Sequence, residues 1–256
     1  MEYTFNAEKT TKELIQWTKD YFEQAGPDTK AVLGVSGGKD STVTAALLVR
    51  ALGPDRVIAV SMPQGSQSLN EADVICSKLG IKMYTVNIGK ACESLIGAIA
   101  DSGEELTKAS IQNIPPRVRM TTLYAIGQTN NARVVNTCNL SEDYIGYATK
   151  FGDGAGDFSL LANLTVTEVL AVGDYLGVPY EWVHKTPDDG LPHSCPDEEK
   201  IGFTYAELDI YIRTGKAPQG YVHDNESEGL KVDKIDHMHK ANLHKLQLMP
   251  SFRISE

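Results

Sequence analysis

The sequence predicts an α/β fold, a doubly wound parallel sheet with helices on both faces. Three observations carry that expectation. Apolar runs of strand length fall at residues 30 to 35, 56 to 61 (Arg-Val-Ile-Ala-Val-Ser), 82 to 88 and 132 to 137. Helical patterns fill the intervals near 41 to 52, 69 to 79, 90 to 101 and 116 to 130, and crossovers of that kind place strands in parallel and cover a sheet on both faces. The first apolar run, Ala31-Val32-Leu33, enters the next helix through a glycine-rich turn.

Taken in order, the chain opens with an amphipathic helix over residues 8 to 24, where Leu14, Ile15, Trp17, Tyr21 and Phe22 recur at helical spacing and Gly26-Pro27 ends the pattern. The alternation of strand and helix then runs to about residue 137. Beyond residue 140 the pattern changes to a Gly- and Asp-rich segment at 144 to 157, a short helix at 165 to 176, and a loop at 184 to 202 rich in Pro, Asp and Glu. Long polar loops in a compact enzyme are often lids, so lids are expected near 140 to 160 and 184 to 202. With 256 residues, 41% hydrophobic and 23% charged, the chain can bury a full core as one domain spanning 1 to 256.

Composition narrows the partners. The opening Met-Glu-Tyr-Thr-Phe-Asn lacks a basic start and an apolar stretch, and no later run reaches bilayer length, so a cytoplasmic protein with no membrane partner is expected. Cys76, Cys92, Cys138 and Cys195 have neither close pairing nor a His at zinc spacing, and are expected as reduced, mostly buried thiols. A formal charge of −10 without basic clusters opposes nucleic acid as a partner.

The glycine-rich turn reads Gly34-Val35-Ser36-Gly37-Gly38-Lys39-Asp40-Ser41. Its glycines allow backbone turns closed to residues with a Cβ, while the Ser36 and Ser41 hydroxyls and the unpaired N–H groups of the following helix serve one small volume. An anion there also gains from the positive end of the helix dipole. The Walker A pattern fails, because three residues rather than four separate Gly34 from Gly38 and a carboxylate follows Lys39. The purely structural alternative is a tight capped connection.

Ser36-Gly37-Gly38-Lys39-Asp40-Ser41 resembles the pyrophosphate loop of the N-type ATP pyrophosphatases, which cut ATP between its α and β phosphates and pass AMP to an acceptor. Further motifs select one branch of that superfamily. Asn113-Ile114-Pro115-Pro116-Arg117-Val118-Arg119-Met120, Asn136-Thr137 through Glu142, and Gly146-Tyr147-Ala148-Thr149-Lys150-Phe151-Gly152-Asp153-Gly154-Ala155-Gly156-Asp157 resemble, in order, segments of the NAD synthetases. His184-Lys185-Thr186-Pro187, Leu191, Asp197-Glu198 and Gly202-Phe203-Thr204-Tyr205 with Asp209 continue that order, so the likeness spans about 30 to 213.

The resemblance implies an adenine nucleotide alpha hydrolase-like, Rossmann-like fold and ATP-dependent amidation of deamido-NAD by ammonia. It implies an ATP site of Gly34, Val35, Ser36, Gly37, Gly38, Lys39, Asp40, Ser41, Thr137, Lys185 and Thr204, with Mg2+ on Asp40 and Glu142. Arg117, Lys150 and Asp157 would contact deamido-NAD, Asp157 and Lys185 would act in catalysis, and Lys240 or Lys245 would reach the dinucleotide. The same likeness implies a homodimer, and at 256 residues no glutaminase domain is expected beside the synthetase. Singly, each residue also has a structural reading: surface charges for Arg117 and Arg119, turn caps for Asp153 and Asp157, a solvated loop for Asp197-Glu198. Asn136 stands where the family has Gly, Asp188-Asp189-Gly190-Leu191 where many members have Ser/Thr-Ala-Asp-Leu, and Ser159-Leu160-Leu161 lacks the usual Pro. Two other readings remain: an ATP pyrophosphatase with another acceptor, as in GMP synthetase or tRNA-modifying enzymes, and a non-catalytic adenine-nucleotide-binding module.

Overall fold

Alternating side chains along β1 divide the interior into two layers, since Ala31 and Leu33 point to one face of the sheet and Val32 to the other. The structure, a computed structural model, describes residues 3–65, 70–185, 197–216, 225–252 and 254. Helix α1 (Ala7–Ala25) begins at Asn6, whose side chain accepts from the Lys9 N–H at 2.9 Å, and ends at Gly26 with φ of 118°. Then follow β1 (Lys30–Gly34), α2 (Lys39–Leu52), β2 (Val57–Ser61), α3 (Asn70–Leu79), β3 (Lys82–Thr85), α4 (Gly89–Asp101), α5 (Lys108–Gln112), α6 (Ile114–Thr129) and β4 (Ala132–Asn136). The second half holds α7 (Leu140–Ile145), β5 (Phe158–Ser159), α8 (Val166–Tyr175), α9 (Tyr180–Val183), α10 (Asp197–Ile201), α11 (Tyr205–Thr214) and α12 (Asn225–Leu246).

All described strand pairs are parallel, in the order β3-β2-β1-β4-β5. Strand β1 pairs with β2 through Ala31 opposite Val57 and with β4 through Val32 opposite Val134, so the order reverses between β1 and β4. This is the predicted doubly wound sheet. One face buries Leu33, Val43, Leu47 and Val57 under α1, α2 and α8, and the other buries Val32, Ile58, Leu123 and Val134 under α4 and α6. A third apolar cluster, including Ile145, Phe203, Tyr205, Leu208 and Ile235, joins α7 to α10, α11 and α12.

Parts of the two regions expected as lids belong to regular elements. Residues 140–145 form α7, 158–159 add an edge strand, and 197–201 form α10, while 186–196 lie outside the described residues. A two-residue strand has no periodicity to read, and α10 opens on three successive acids, favourable at a helix N-terminus but loop-like in composition. Helices α11 and α12 lie beyond the elements that the periodicity predicts. Cys76, Cys92 and Cys138 are buried and unbridged, and Cys195 lies outside the described residues. Among the described residues no helix is long and apolar enough to cross a membrane.

Candidate active site at the sheet switch point

The turn from Gly34 to Ser41 leaves the carboxyl end of β1, and the segment from Thr137 to Glu142 leaves the carboxyl end of its neighbour β4. Crevices at such a reversal of strand order are where open α/β sheets bind ligands. The Val35 N–H donates to Val60 O at 2.9 Å, which fastens the turn to β2. Gly37 has φ of 88°, and an added Cβ would lie 3.0 Å from Glu71 Oε2, so both conformation and space require glycine. The bonds of Ser36 within the turn are long, Gly38 N to Ser36 Oγ at 3.3 Å and Ser36 N to Ser41 Oγ at 3.4 Å, while Ser41 Oγ donates to Gly38 O at 3.1 Å. No side-chain cap bond satisfies the first N–H groups of α2, which begins after Gly38.

Charge is concentrated beside it. Lys39 is only 7% exposed, and its Nζ lies 2.9 Å from Asp40 Oδ2. Burial alone would lower the Lys39 pKa, but the carboxylates of Asp40 and Glu142 outweigh it and hold the pKa above its ordinary value. Glu142 is pushed up to about 8 by burial and by the Asp40 carboxylate, against the opposing effect of Lys39. Two carboxylates with one ammonium leave a site short of positive charge.

Asn139 joins these two parts. Fully buried, it caps α7 by accepting the Glu142 N–H at 3.0 Å, while its Nδ2 donates to Asp40 Oδ1 at 3.1 Å. The sequence reading passed over it, although Asn followed three residues later by Glu is a helix-start signal. Asp40 and Glu142 suit a hard divalent cation such as Mg2+, which takes one or two protein carboxylates and fills its shell with water and phosphate oxygens. Among the described residues no group of three or more His, Cys, Asp or Glu forms a complete metal cage.

The segment 146–157 is tied down along its length. Gly156 packs so closely that a Cβ would lie 2.8 Å from the Asn136 backbone N. Asn136, where the family has Gly, donates from Nδ2 to Asp153 O at 2.7 Å and to Ala155 O at 3.1 Å, and accepts the Cys138 N–H at 3.0 Å. Its amide therefore anchors the Gly-rich segment to the end of β4. Asp153 does close a turn, accepting the Thr149 N–H at 2.9 Å. Phe151 has φ of 64°, unusual for a bulky residue, and is 63% exposed.

Arg117 and Lys150 are brought together, with Arg117 Nε donating to Lys150 O at 3.3 Å and Lys150 Nζ to His244 O at 2.5 Å. Arg119 is no surface charge: its Nε donates to Met62 O at 3.2 Å, and burial lowers its pKa. Asp157 sits at the level of Val134, on the side of β4 away from β1. Its Oδ2 accepts the Val134 N–H at 2.7 Å and Oδ1 faces the Tyr124 hydroxyl at 3.4 Å. The fold thus sets Asp157 across β4 from the Gly34–Ser41 turn. Lys245 donates to Gly146 O at 2.6 Å, whereas Lys240 is exposed and pairs with Asp236 at 3.8 Å.

Lys185 reaches the turn through Glu71, to which its Nζ bonds at 2.5 Å beside Gly37. Thr137 is half-buried, with no hydrogen-bond partner for its hydroxyl among the described residues. Thr204 is occupied locally, as its hydroxyl caps α11 by accepting the Glu207 N–H at 3.1 Å. Asp197 accepts from the Tyr147 hydroxyl and Glu198 from the Tyr205 N–H, both at 2.8 Å, so neither is merely solvated.

The NAD synthase family model matches residues 10–249. The chain belongs to that family. An NH(3)-dependent NAD(+) synthetase of Carboxydothermus hydrogenoformans is 34% identical over 95% of this chain and 96% of its own. One of Methanococcus aeolicus is 38% identical over 80% and 81%. Among solved structures, an NMN synthetase of Francisella tularensis superposes with a TM-score of 0.84 at 31% identity, covering 98% of this chain and all of that one.

Proposed function

We propose that this chain amidates the nicotinate carboxylate of deamido-NAD with ammonia, consuming ATP and releasing AMP and pyrophosphate. The observation that carries the reading is the Asp40 and Glu142 pair, with Lys39 between them, beside a glycine turn at the sheet's switch point. That arrangement suits a triphosphate and its metal ion better than any uncharged ligand.

A carboxylate is a poor electrophile and its oxygen a poor leaving group. Its oxygen therefore attacks the α phosphorus of ATP, the bond from that phosphorus to the bridging oxygen breaks, and pyrophosphate departs. The N–H groups at the start of α2, Ser36, Ser41 and Lys39 stabilise the departing charge. Asp40 and Glu142 would hold magnesium, which offsets the charge of the triphosphate and of pyrophosphate. Ammonia then attacks the acyl carbon of the adenylate, AMP leaves with the electron pair of the cleaved C–O bond, and a proton is lost from nitrogen.

Arg117 and Lys150 supply cations to the acceptor, Thr137 and Lys185 border the ATP side, and Asp157 positions the acceptor from the outer edge of β4. Its carboxylate already accepts the Val134 N–H, which favours a positioning role over proton transfer. Lys245, turned toward Gly146 O and the 146–157 segment, suits the dinucleotide better than Lys240. Two copies of the chain would bind the acceptor at their interface.

A second reading has a specific observation behind it. The likeness to the Francisella NMN synthetase extends over that whole chain, so the acceptor is alternatively nicotinate mononucleotide, with the same chemistry at the carboxylate. The test is incubation with ATP, magnesium and an ammonium salt, with deamido-NAD or nicotinate mononucleotide in parallel. The primary reading expects NAD, AMP and pyrophosphate in equal amounts and a higher kcat/KM for the dinucleotide. A higher kcat/KM for the mononucleotide would replace it with the second, and ATP cleavage with neither acceptor would overturn both.

A further inference from the structure

Tyr205 opens α11 with its ring packed in the third apolar cluster beside Ile145 and Leu208, and its N–H donates to Glu198 Oε1 at 2.8 Å. The residue is 4% exposed, and its hydroxyl is buried with no hydrogen-bond partner among the described residues. Buried hydroxyls are nearly always paired, and an unpaired one is costly. Three smaller hydroxyls, of Thr11, Thr44 and Ser61, are also buried without a partner among the described residues, whereas the Tyr211 hydroxyl donates to Asp236 at 2.7 Å and that of Tyr147 to Asp197 at 2.8 Å.

The surroundings of Tyr205 make the missing bond informative. Glu142, Asp197, Tyr147 and Asp40 lie near enough to act on the phenol electrostatically, and Lys39 Nζ lies 5.9 Å from the centre of the ring. Acceptors are plentiful, yet none is bonded to this donor. The ring is fixed by the core, while its tip lies among the charged groups assigned to triphosphate and metal.

We propose that the Tyr205 hydroxyl donates a hydrogen bond to an oxygen of the magnesium–triphosphate unit. This rests on the reading of the Gly34–Ser41 turn, Asp40 and Glu142 given above. The acceptor is an oxygen in either case, belonging to a phosphate or to a water bound by the metal. The buried hydroxyl is thus a binding group kept without a protein partner until nucleotide arrives.

The test is Tyr205→Phe, which removes one oxygen and keeps the ring. Without nucleotide the variant is expected to melt at the wild-type temperature or on the order of 2–4 °C higher, because an unsatisfied buried donor is gone. Calorimetric titration with Mg·ATP is expected to show binding weaker by about tenfold or more, as for loss of a hydrogen bond to a charged group. Repeating the titration with ATP in EDTA separates the two acceptors: a persisting deficit means a phosphate oxygen, and a deficit seen only with magnesium means metal-bound water. A lower melting temperature with unchanged Mg·ATP affinity would overturn the proposal by showing a structural hydroxyl. Equal affinity at any melting temperature, with wild type binding tightly, would overturn it and leave the functional reading standing. Absence of Mg·ATP binding by wild type would overturn both.

Discussion

Glu142 and Glu168 are two glutamates set among core helices, and the chain treats them in opposite ways. Glu168 is 3% exposed, yet its carboxylate is bonded by Arg213, the Tyr3 hydroxyl and the Thr165 N–H. Burial works to raise its pKa, and these partners together bring it below the usual value. Glu142 has burial and a second carboxylate against it, with Lys39 and a backbone hydrogen bond from Asn139 in opposition, and is pushed up to about 8. A structural carboxylate brings its counter-charge from its own fold, and Glu142 lacks that match, as a ligand-binding carboxylate would.

The largest expected effect comes from Glu142→Gln. If Glu142 holds the metal, pyrophosphate release should fall on the order of a hundred- to a thousand-fold at saturating magnesium. Stability should move the other way, since the variant removes a carboxylate that ionises against burial. A higher melting temperature than wild type at pH 8, measured without nucleotide, checks this half. Retained turnover would place the metal elsewhere.

Glu168→Ala should show the reverse pattern. Arg213, with its side chain 25% exposed, would lose its carboxylate, and a cost of about 3 kcal/mol is expected in urea unfolding at pH 7. Turnover per folded molecule should stay near wild type, because Glu168 ties the N-terminal residues and α8 to α11 rather than bordering the switch point.

Titration sharpens the same contrast. Glu142 has a folded pKa of about 8 against an ordinary 4.5, so between those values the native state holds more protons than the unfolded chain. Stability of the nucleotide-free protein should therefore decline as pH rises from about 5 to 8, by on the order of a few kcal/mol from this group. The sign is opposite for Glu168: its folded pKa is lowered, so its contribution is present above 4.5 and is lost as pH falls through the folded value. Melting curves across pH 4 to 8, with and without Glu142→Gln, test this, and a slope unchanged by the substitution would remove Glu142 as its source.

How much of this was legible beforehand depends on range. The strands β1 to β4 and the turn after β1 were readable, because apolar runs and glycines act within a few residues of one another. The pairing of Asp40 with Glu142 was reached only through family likeness, since nothing local connects residues 102 apart in sequence. Asn136 and Asn139 illustrate the remainder. Asn136 looked like a departure from the family pattern and proved to be an anchor for residues 153–155, while Asn139 joins its local cap on the Glu142 N–H to a bond to the Asp40 carboxylate that is visible only in three dimensions. Two-residue β5 and the sparsely apolar α12 gave patterning too little length or contrast.

Asn139→Ala lies between the two glutamates in kind. It removes a helix cap, expected to cost about 1 kcal/mol, and it also releases Asp40 Oδ1. The magnesium concentration for half-maximal activity should rise about tenfold, with a smaller change in kcat once the metal is saturating. A loss of stability with an unchanged magnesium requirement would make Asn139 a cap alone.

The smallest expected stability effect is that of Lys185→Ala. Lys185 and Glu71 are 42% and 53% exposed, so solvent screens their pairing, and less than about 1 kcal/mol of stability should depend on it. Function should be more sensitive, because Glu71 packs against Gly37 and Lys185 brings a cation to the rim of the Gly34–Ser41 turn. The expectation is a raised KM for ATP, with the KM for the acceptor near wild type and the melting temperature within about 2 °C of it. A rise confined to the acceptor's KM would move Lys185 to the other substrate, and a large fall in melting temperature would make the Glu71 pair structural, as the Glu168 pair is.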